Sequence, residues 1–341
     1  MKTNLEINWE AVNRLVEEGY ISQQRHPDRA LIIYNYTHKC QYEWKWTAET
    51  MACRGLIVNH QREIVSRPFP KFFSIEQRTE PLPIEPFQVF EKLDGSLGIG
   101  YTVDGRPAIA TRGSFTSDQA AWATEFLRTQ YPDLLFLDGR TYLFEIIYKG
   151  NRIVVDYGDF EGLILLALID NETGADLELP EIGIPIVKRY DGINDIDQLA
   201  TLEEPNKEGF VLLFKSGLRV KAKFAEYKRL HRILTGLTAR NIWEALQTPN
   251  GLEVFLERVP DEFYAWVKVI ESDLLAGYSA IENQCRAEFK NLGDRKTTAK
   301  YFQRCQYPAV LFKMLDGRDY SDLIWKRIYP GPSKAFREDE S

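Results

Sequence analysis

The four cysteines in this chain of 341 residues, Cys40, Cys53, Cys285 and Cys305, show no paired spacing, and the four histidines form no metal-binding pattern such as H-E-x-x-H. A disulfide scaffold and a zinc site of known spacing are therefore excluded, and a reduced, cytoplasmic protein is the simplest expectation. No apolar run approaches the roughly 20 residues that span a bilayer, so no membrane partner is expected. The longest run, Leu163–Ile169, reads as a buried strand. The N-terminus lacks the charged-then-apolar pattern of a signal peptide. There is no internal repeat and no low-complexity tract. Positive charge is also in short supply: 43 Lys and Arg against 50 Asp and Glu give −7, which on its face argues against a nucleic-acid partner.

What is present is globular. A hydrophobic content of 44% with 13% aromatics is enough for a proper core, and the length suggests about two domains. Apolar residues at helical spacing predict a helix from Asn8, stopped by Gly19, and another after Ser117 that ends before Pro132. Between and beyond them, strand-like segments dominate up to Lys223. Turn dipeptides such as Asp104-Gly105 and Ser216-Gly217 separate them, which predicts mostly antiparallel pairing. After about Phe224 the strand signals nearly vanish and helical spacing takes over. The expected fold is α+β, with antiparallel sheets and flanking helices over residues 1–230, an all-α domain over 231–330 and a disordered tail over 331–341.

One segment carries chemistry of its own. Glu91-Lys92-Leu93-Asp94-Gly95-Ser96 places a lysine beside an Asp-Gly turn between two apolar runs. A lysine aimed into a cleft can act as a nucleophile where neighbouring cations favour its free amine. Asp-Gly recurs at four other places, however, and a solvated lysine beside a turn fits this segment equally well. Glu145 lies within the apolar strand Thr141–Ile147, where a carboxylate is costly unless it binds something, or else faces water at a rim. Glu208 precedes the apolar run Gly209–Phe214 and reads either as a site carboxylate or as a strand-start acid. Lys221 and Lys223 alternate with Val220, Ala222 and Phe224, so a strand would put both lysines on one side; a solvated basic face is the alternative. Arg54 stands at the mouth of another strand, and Ser66-Arg67-Pro68-Phe69-Pro70-Lys71 is a stiff basic loop. Together these groups offer what a nucleoside triphosphate needs: cations for the β and γ oxygens, a lysine for the α phosphorus, and carboxylates for a divalent metal and a ribose hydroxyl.

In that order, Lys92-x-Asp94-Gly95, Phe144-Glu145, Glu208-Gly209 and Lys221-x-Lys223 resemble the signature motifs of covalent nucleotidyltransferases. Tyr34-Asn35-Tyr36, Cys53-Arg54-Gly55, Ser66-Arg67-Pro68 with Lys71-Phe72-Phe73, Arg112-Gly113-Ser114 and Asn151-Arg152-Ile153-Val154 narrow the likeness to the phage-type RNA ligase 1 family. Asp294-Arg295-Lys296-Thr297 extends it into the helical part. The resemblance implies an ATP-dependent RNA ligase with a nucleotidyltransferase domain, Mg²⁺ or Mn²⁺ as cofactor, and RNA with 5′-phosphate and 3′-hydroxyl ends as partner, tRNA among the candidates. Pairing with an end-healing kinase or phosphatase, and a monomeric state, are further expectations. Lys92 would carry AMP, with Lys221 and Lys223 neutralising the α-phosphate. Tyr34, Arg54 and Lys71 would meet the leaving phosphates, Glu145 the ribose, and Glu208 a metal. Arg112 would also contact the nucleotide, although it stands where the family has a lysine. Asp261 is either a second metal-side carboxylate by rough register or a helix N-terminal acid. Two rivals stay open: a DNA ligase or capping guanylyltransferase, which normally carries a β-barrel after Lys221-x-Lys223, and a non-catalytic RNA-binding protein on a ligase-like fold.

Overall fold

The computed structural model describes residues 7–225, 227–228, 237–256, 259 and 263–330. Asp261, much of the expected domain boundary and the tail from residue 331 lie outside the described residues. The chain divides into two compact units, Met1–Leu234 and Thr235–Ser341.

In the first unit, α1 (Trp9–Glu17) starts where the Asn8 side chain accepts the Ala11 N–H, the N-cap expected there. It leads into β1 (Ile21–Arg25) and β2 (Leu31–Tyr36), and two single-turn helices, α2 (His38–Tyr42) and α3 (Ala48–Ala52), precede β3 (Arg54–Asn59) and β4 (Ile64–Ser66). These strands form an antiparallel sheet in the order β1-β2-β3-β4. Val12 and Leu15 of α1 bury against Tyr34, Leu56 and Val58 on one face of it.

Two five-stranded sheets follow. β5 (Phe73–Ser74) and β6 (Phe87–Lys92) belong to one; β7 (Ser96–Val103) and β8 (Arg106–Ala110) belong to the other. α4 (Asp118–Gln130), capped by the Ser117 hydroxyl, lays Ala123 and Leu127 on the second sheet, which β9 (Arg140–Ile147), β10 (Gly162–Asp170) and β11 (Asp176–Leu177) complete. β12 (Arg189–Tyr190), β13 (Gly209–Phe214) and β14 (Arg219–Lys223) complete the first. The orders are β12-β6-β13-β14-β5 and β11-β10-β9-β7-β8.

This topology changes the meaning of Lys92-Leu93-Asp94-Gly95. β6 and β7 do not pair with each other as a hairpin would; the segment carries the chain from one sheet into the other. Lys92 ends the first sheet's strand and Ser96 starts the second's, so chemistry from both sheets can meet at the crossing.

The second unit is helical throughout its described residues, with helices Ala239–Ala245, Gly251–Leu256, Tyr264–Glu288, Arg295–Phe302, Pro308–Leu315 and Ser321–Arg327. Ile281, Cys285, Phe302, Val310, Leu311 and Ile324 form its core. Asp294, from the family-like Asp294-Arg295-Lys296-Thr297, caps the helix Arg295–Phe302 through the Thr297 N–H. Among the described residues, no helix is long and apolar enough to cross a membrane.

Candidate active site

The site is built first by strand register. In the first sheet Gly209 pairs with Lys92 on one side and with Lys223 on the other, so three neighbouring strands end at the same level. Glu208, one residue before Gly209, is placed between the two lysines. Its Oε2 lies 2.7 Å from Lys92 Nζ and its Oε1 2.9 Å from Lys223 Nζ. Only 3% of the Glu208 side chain is exposed, against 21% for Lys92. Burial by itself pushes the Glu208 carboxyl up, but the two ammonium groups outweigh it and hold the carboxyl below its ordinary value. Lys221, also buried, lies two residues back along β14, about 6.6 Å away and on the same side by strand alternation.

The crossing segment is fixed at each residue after the lysine. Leu93 is buried in a small apolar cluster with Ile147 and Val187. The Asp94 carboxylate accepts the N–H groups of Val154 and Val155, each at 2.8 Å, and the Tyr227 hydroxyl at 2.7 Å. Its own N–H donates to Tyr157 Oη at 2.7 Å. Gly95 donates its N–H to Glu145 Oε1 at 2.9 Å, and a Cβ there would lie 2.5 Å from the Ile146 carbonyl and 3.1 Å from Glu145 Cγ. Only glycine lets the chain come this close to β9. The aspartate and glycine of the motif therefore act mainly as anchors, and they keep the lysine's backbone from swinging.

Glu145 reaches the same point from the second sheet. It is partly buried, and desolvation drives its carboxyl up to about 8, against the pull of the Lys92 charge. In the unfolded chain the group titrates near 4.5, so the folded state retains a proton that the unfolded state has lost. Stability from this group is fully present below 4.5 and drains away as pH rises through about 8. Glu145→Gln keeps the acceptor for Gly95 and removes the titration. Its advantage over the parent is expected to grow by about 2–3 kcal/mol between pH 6 and pH 9, as chemical denaturation at each pH would measure. A gap that does not change with pH would refute the raised carboxyl.

A second group of cations gathers at the ends of β2 and β3. Arg54 stands opposite Asn35, and Gly55, at φ 94°, is the extra residue of a bulge between them. The bulge takes Arg54 out of phase with Leu56 and Val58, which face α1. Arg112 donates from Nη1 to Tyr36 Oη at 2.8 Å. Lys71 Nζ sits 5.3–5.5 Å from the ring centroids of Tyr36, Trp46 and Phe73. Arg54 Nη1 is buried without a hydrogen-bond partner, and burial lowers the guanidinium's pKa, with the nearby Arg112 charge adding to it. An anion would relieve both.

The structure thus brings Lys92, Glu145, Glu208 and Lys223 together, with Lys221 adjacent, and gathers Arg54, Lys71 and Arg112 at a second cluster. Tyr34 joins neither. It alternates with Ile33 along β2, so its ring packs with Trp9, at 5.6 Å, in the α1 core. Tyr36, at the strand's end, is the tyrosine beside the cations. Tyr157 and Tyr227, which hold Asp94 from 63 and 133 residues away, carry no sequence signal of that role. A cavity of about 170 Å³ opens beside Lys92 and Glu208, lined also by Glu91, Val155, Asp156, Tyr157, Asn206 and Lys207. It is smaller than the roughly 300–1,000 Å³ of drug-sized pockets, so it has room for only one part of a nucleotide.

A strand-end lysine held by a buried carboxylate thus faces a second sheet across a fixed crossing. The chain belongs to the RNA ligase family, whose model matches residues 52–228. A protein of Thermovibrio ammonificans described as an RNA ligase is 33% identical over 224 residues, 60% of this chain and 57% of that protein. A protein of Autographa californica nuclear polyhedrosis virus described as a bifunctional polynucleotide kinase/RNA ligase is 29% identical over 212 residues, 53% of this chain and 30% of that protein. Each match therefore spans less than two thirds of the relative's length. Among solved structures, an archaeal ATP-dependent RNA ligase is 13% identical at a TM-score of 0.45, covering 92% of this chain and 97% of its own.

Proposed function

We propose that this protein is an ATP-dependent RNA ligase that works through AMP carried on Lys92. The observation that supports it most directly is Lys92 Nζ, 2.7 Å from a buried carboxylate that also holds Lys223. In the first step the free amine of Lys92 attacks the α-phosphorus of ATP. A P–N bond forms, the bond to the bridging oxygen breaks, pyrophosphate leaves and the amine's proton passes to solvent. Lys221 and Lys223 stabilise charge building on the α-phosphate oxygens. Arg54, Lys71 and Arg112, with the Tyr36 hydroxyl, receive the departing phosphates.

In the second step an oxygen of an RNA 5′-phosphate attacks the same phosphorus. The P–N bond breaks and Lys92 is restored as an amine. In the third step an RNA 3′-hydroxyl attacks the activated 5′-phosphate, closing a 3′–5′ phosphodiester and releasing AMP.

Mg²⁺ or Mn²⁺ fits this donor set as an ion shared with the nucleotide. Among the described residues no group of three His, Cys, Asp or Glu could cage a metal, whereas ions of this kind take one or two carboxylates and complete their shell with phosphate oxygens and water. Glu208 would hold it while Glu145 meets the ribose, and when bound the ion supplies charge neutralisation at the α-phosphate. The viral relative's pairing of kinase and ligase supports an end-healing partner that prepares 5′-phosphate ends, as in the repair of cleaved tRNA. Four free cysteines suit a reducing compartment such as the cytoplasm.

The test is incubation with ATP or GTP labelled at the α-phosphate, followed by acid treatment, and then with 5′-phosphorylated single-stranded RNA or DNA. Acid-labile label from ATP and circular RNA are expected. Absence of label, or joining of DNA in preference to RNA, would overturn the proposal.

A further inference from the structure

Trp44 has no part in the steps above, yet 50% of its surface is open to solvent. Its backbone sits at φ 58°, a left-handed conformation that is strained for a bulky residue and that glycine adopts freely. The turn by itself therefore does not select an indole. One side of the ring is supported, with Phe73 at 5.1 Å and Trp46 at 6.2 Å between centroids. These two rings belong to the set around Lys71 Nζ. The support also relates Trp44 to the site: Phe73 lies in β5 opposite Val220, and the next residue, Ser74, lies opposite Lys221.

The surroundings are basic in a chain whose net charge is −7. Lys45, next to Trp44 and exposed, and Lys39 both stand over the Tyr20 ring, at 5.6 and 4.7 Å. Arg54, Lys71 and Arg112 lie in the adjoining cluster. The opposing charges nearby are Glu43, exposed and accepting the Tyr20 hydroxyl at 2.7 Å, Glu18, whose charge also acts on Tyr20, and Glu49, which accepts the Thr47 hydroxyl. A flat, half-open aromatic face backed by other rings and flanked by cations is how proteins grip single-stranded nucleic acid, with bases on the rings and phosphates on the cations.

We propose that Trp44 is a stacking platform for a nucleobase of the RNA strand being joined. The inference rests on the RNA ligase reading and adds to it a substrate-binding residue outside the nucleotide site.

The experiment compares the full-length parent with Trp44→Ala, Trp44→Leu and Trp44→Phe. For each, the covalent label formed from ATP without RNA is measured, and then KM for circularising a short 5′-phosphorylated single-stranded RNA. Labelling is expected to stay within about twofold in all three variants, since Trp44 packs on Phe73 and Trp46 and has no part in forming the lysine–AMP bond. KM is expected to rise about tenfold or more in Trp44→Ala and Trp44→Leu, and to stay within about threefold in Trp44→Phe, because only Phe keeps a π face. Thermal melting of each variant accompanies the assay, and the Leu and Phe pair keeps bulk similar if the alanine variant folds poorly. Unchanged KM in all variants overturns the platform, as does a leucine variant that matches phenylalanine, or labelling that falls in step with joining. A parent protein that joins no RNA overturns the ligase reading itself, and the platform with it.

Discussion

Lys92→Arg is expected to form no covalent nucleotide, a loss of roughly 10⁴-fold or more in the labelling rate, while the fold survives. The reason lies in what each part of the side chain does. A guanidinium keeps the positive charge that buried Glu208 requires, so the ion pair now seen at 2.7 Å has a replacement. It has no amine lone pair to offer phosphorus, so the P–N bond cannot form. Lys92→Ala should also fail to label, and it should melt lower as well, because Glu208 then has Lys223 as its remaining partner in this pair of bridges. The two variants together separate nucleophile from counter-ion. A further readout isolates the step: RNA supplied already adenylated at its 5′ end needs no lysine nucleophile. Both variants are expected to join it at a measurable rate while failing with ATP and plain RNA. Label on the arginine variant would sink the assignment of Lys92, and equal melting of both variants would sink the counter-ion role.

Much of this site was legible in the sequence because its parts sit at strand ends with distinctive neighbours. Glu208 before an apolar run, and Lys221 and Lys223 in alternation, could be placed on one sheet edge by period alone, and antiparallel register then brings them to Lys92. The crossing was not legible. Leu93-Asp94-Gly95 has the composition of a hairpin turn, and nothing local reveals that β6 and β7 pair with other strands. Nor could the sequence choose between Tyr34 and Tyr36, which have equal claims within Tyr34-Asn35-Tyr36. The choice is made by α1, which covers the face where Tyr34 lies, and by the end of β2, where Tyr36 meets Arg112. Arg54 depends on a bulge that only pairing creates. The strands β1, β5, β11 and β12 and the helices α2, α3 and Pro308–Leu315 are not among the elements the sequence predicts. Several are two residues long and are defined by their partners, not by their own composition.

Glu208→Gln tests the other half of the site and is expected to cost both stability and activity. The carboxylate is nearly fully buried and accepts from two ammonium groups, so its loss removes the negative charge that both bridges share. Breaking a buried pair by removing one partner typically costs about 3–5 kcal/mol; the solvent access that Lys92 retains places the expected loss near the lower end, about 3 kcal/mol. The effect has a pH signature. The folded carboxyl titrates below its ordinary 4.5, so its contribution is fully present above that value and is lost as pH falls through the folded one. The parent and Glu208→Gln should therefore differ most at neutral pH and converge in acid, opposite in direction to the Glu145→Gln series, whose gap opens toward alkaline pH. Activity should fall further than stability alone explains. A glutamine offers one neutral oxygen in place of two charged ones, so the two lysines repel and Lys92 loses the group that aims it. Denaturation across pH and single-turnover labelling at a temperature where both proteins are folded check the two parts. A glutamine variant that labels at the parent's rate, or one whose deficit is the same at every pH, would mean that the bridge between Lys92 and Lys223 does not govern this site.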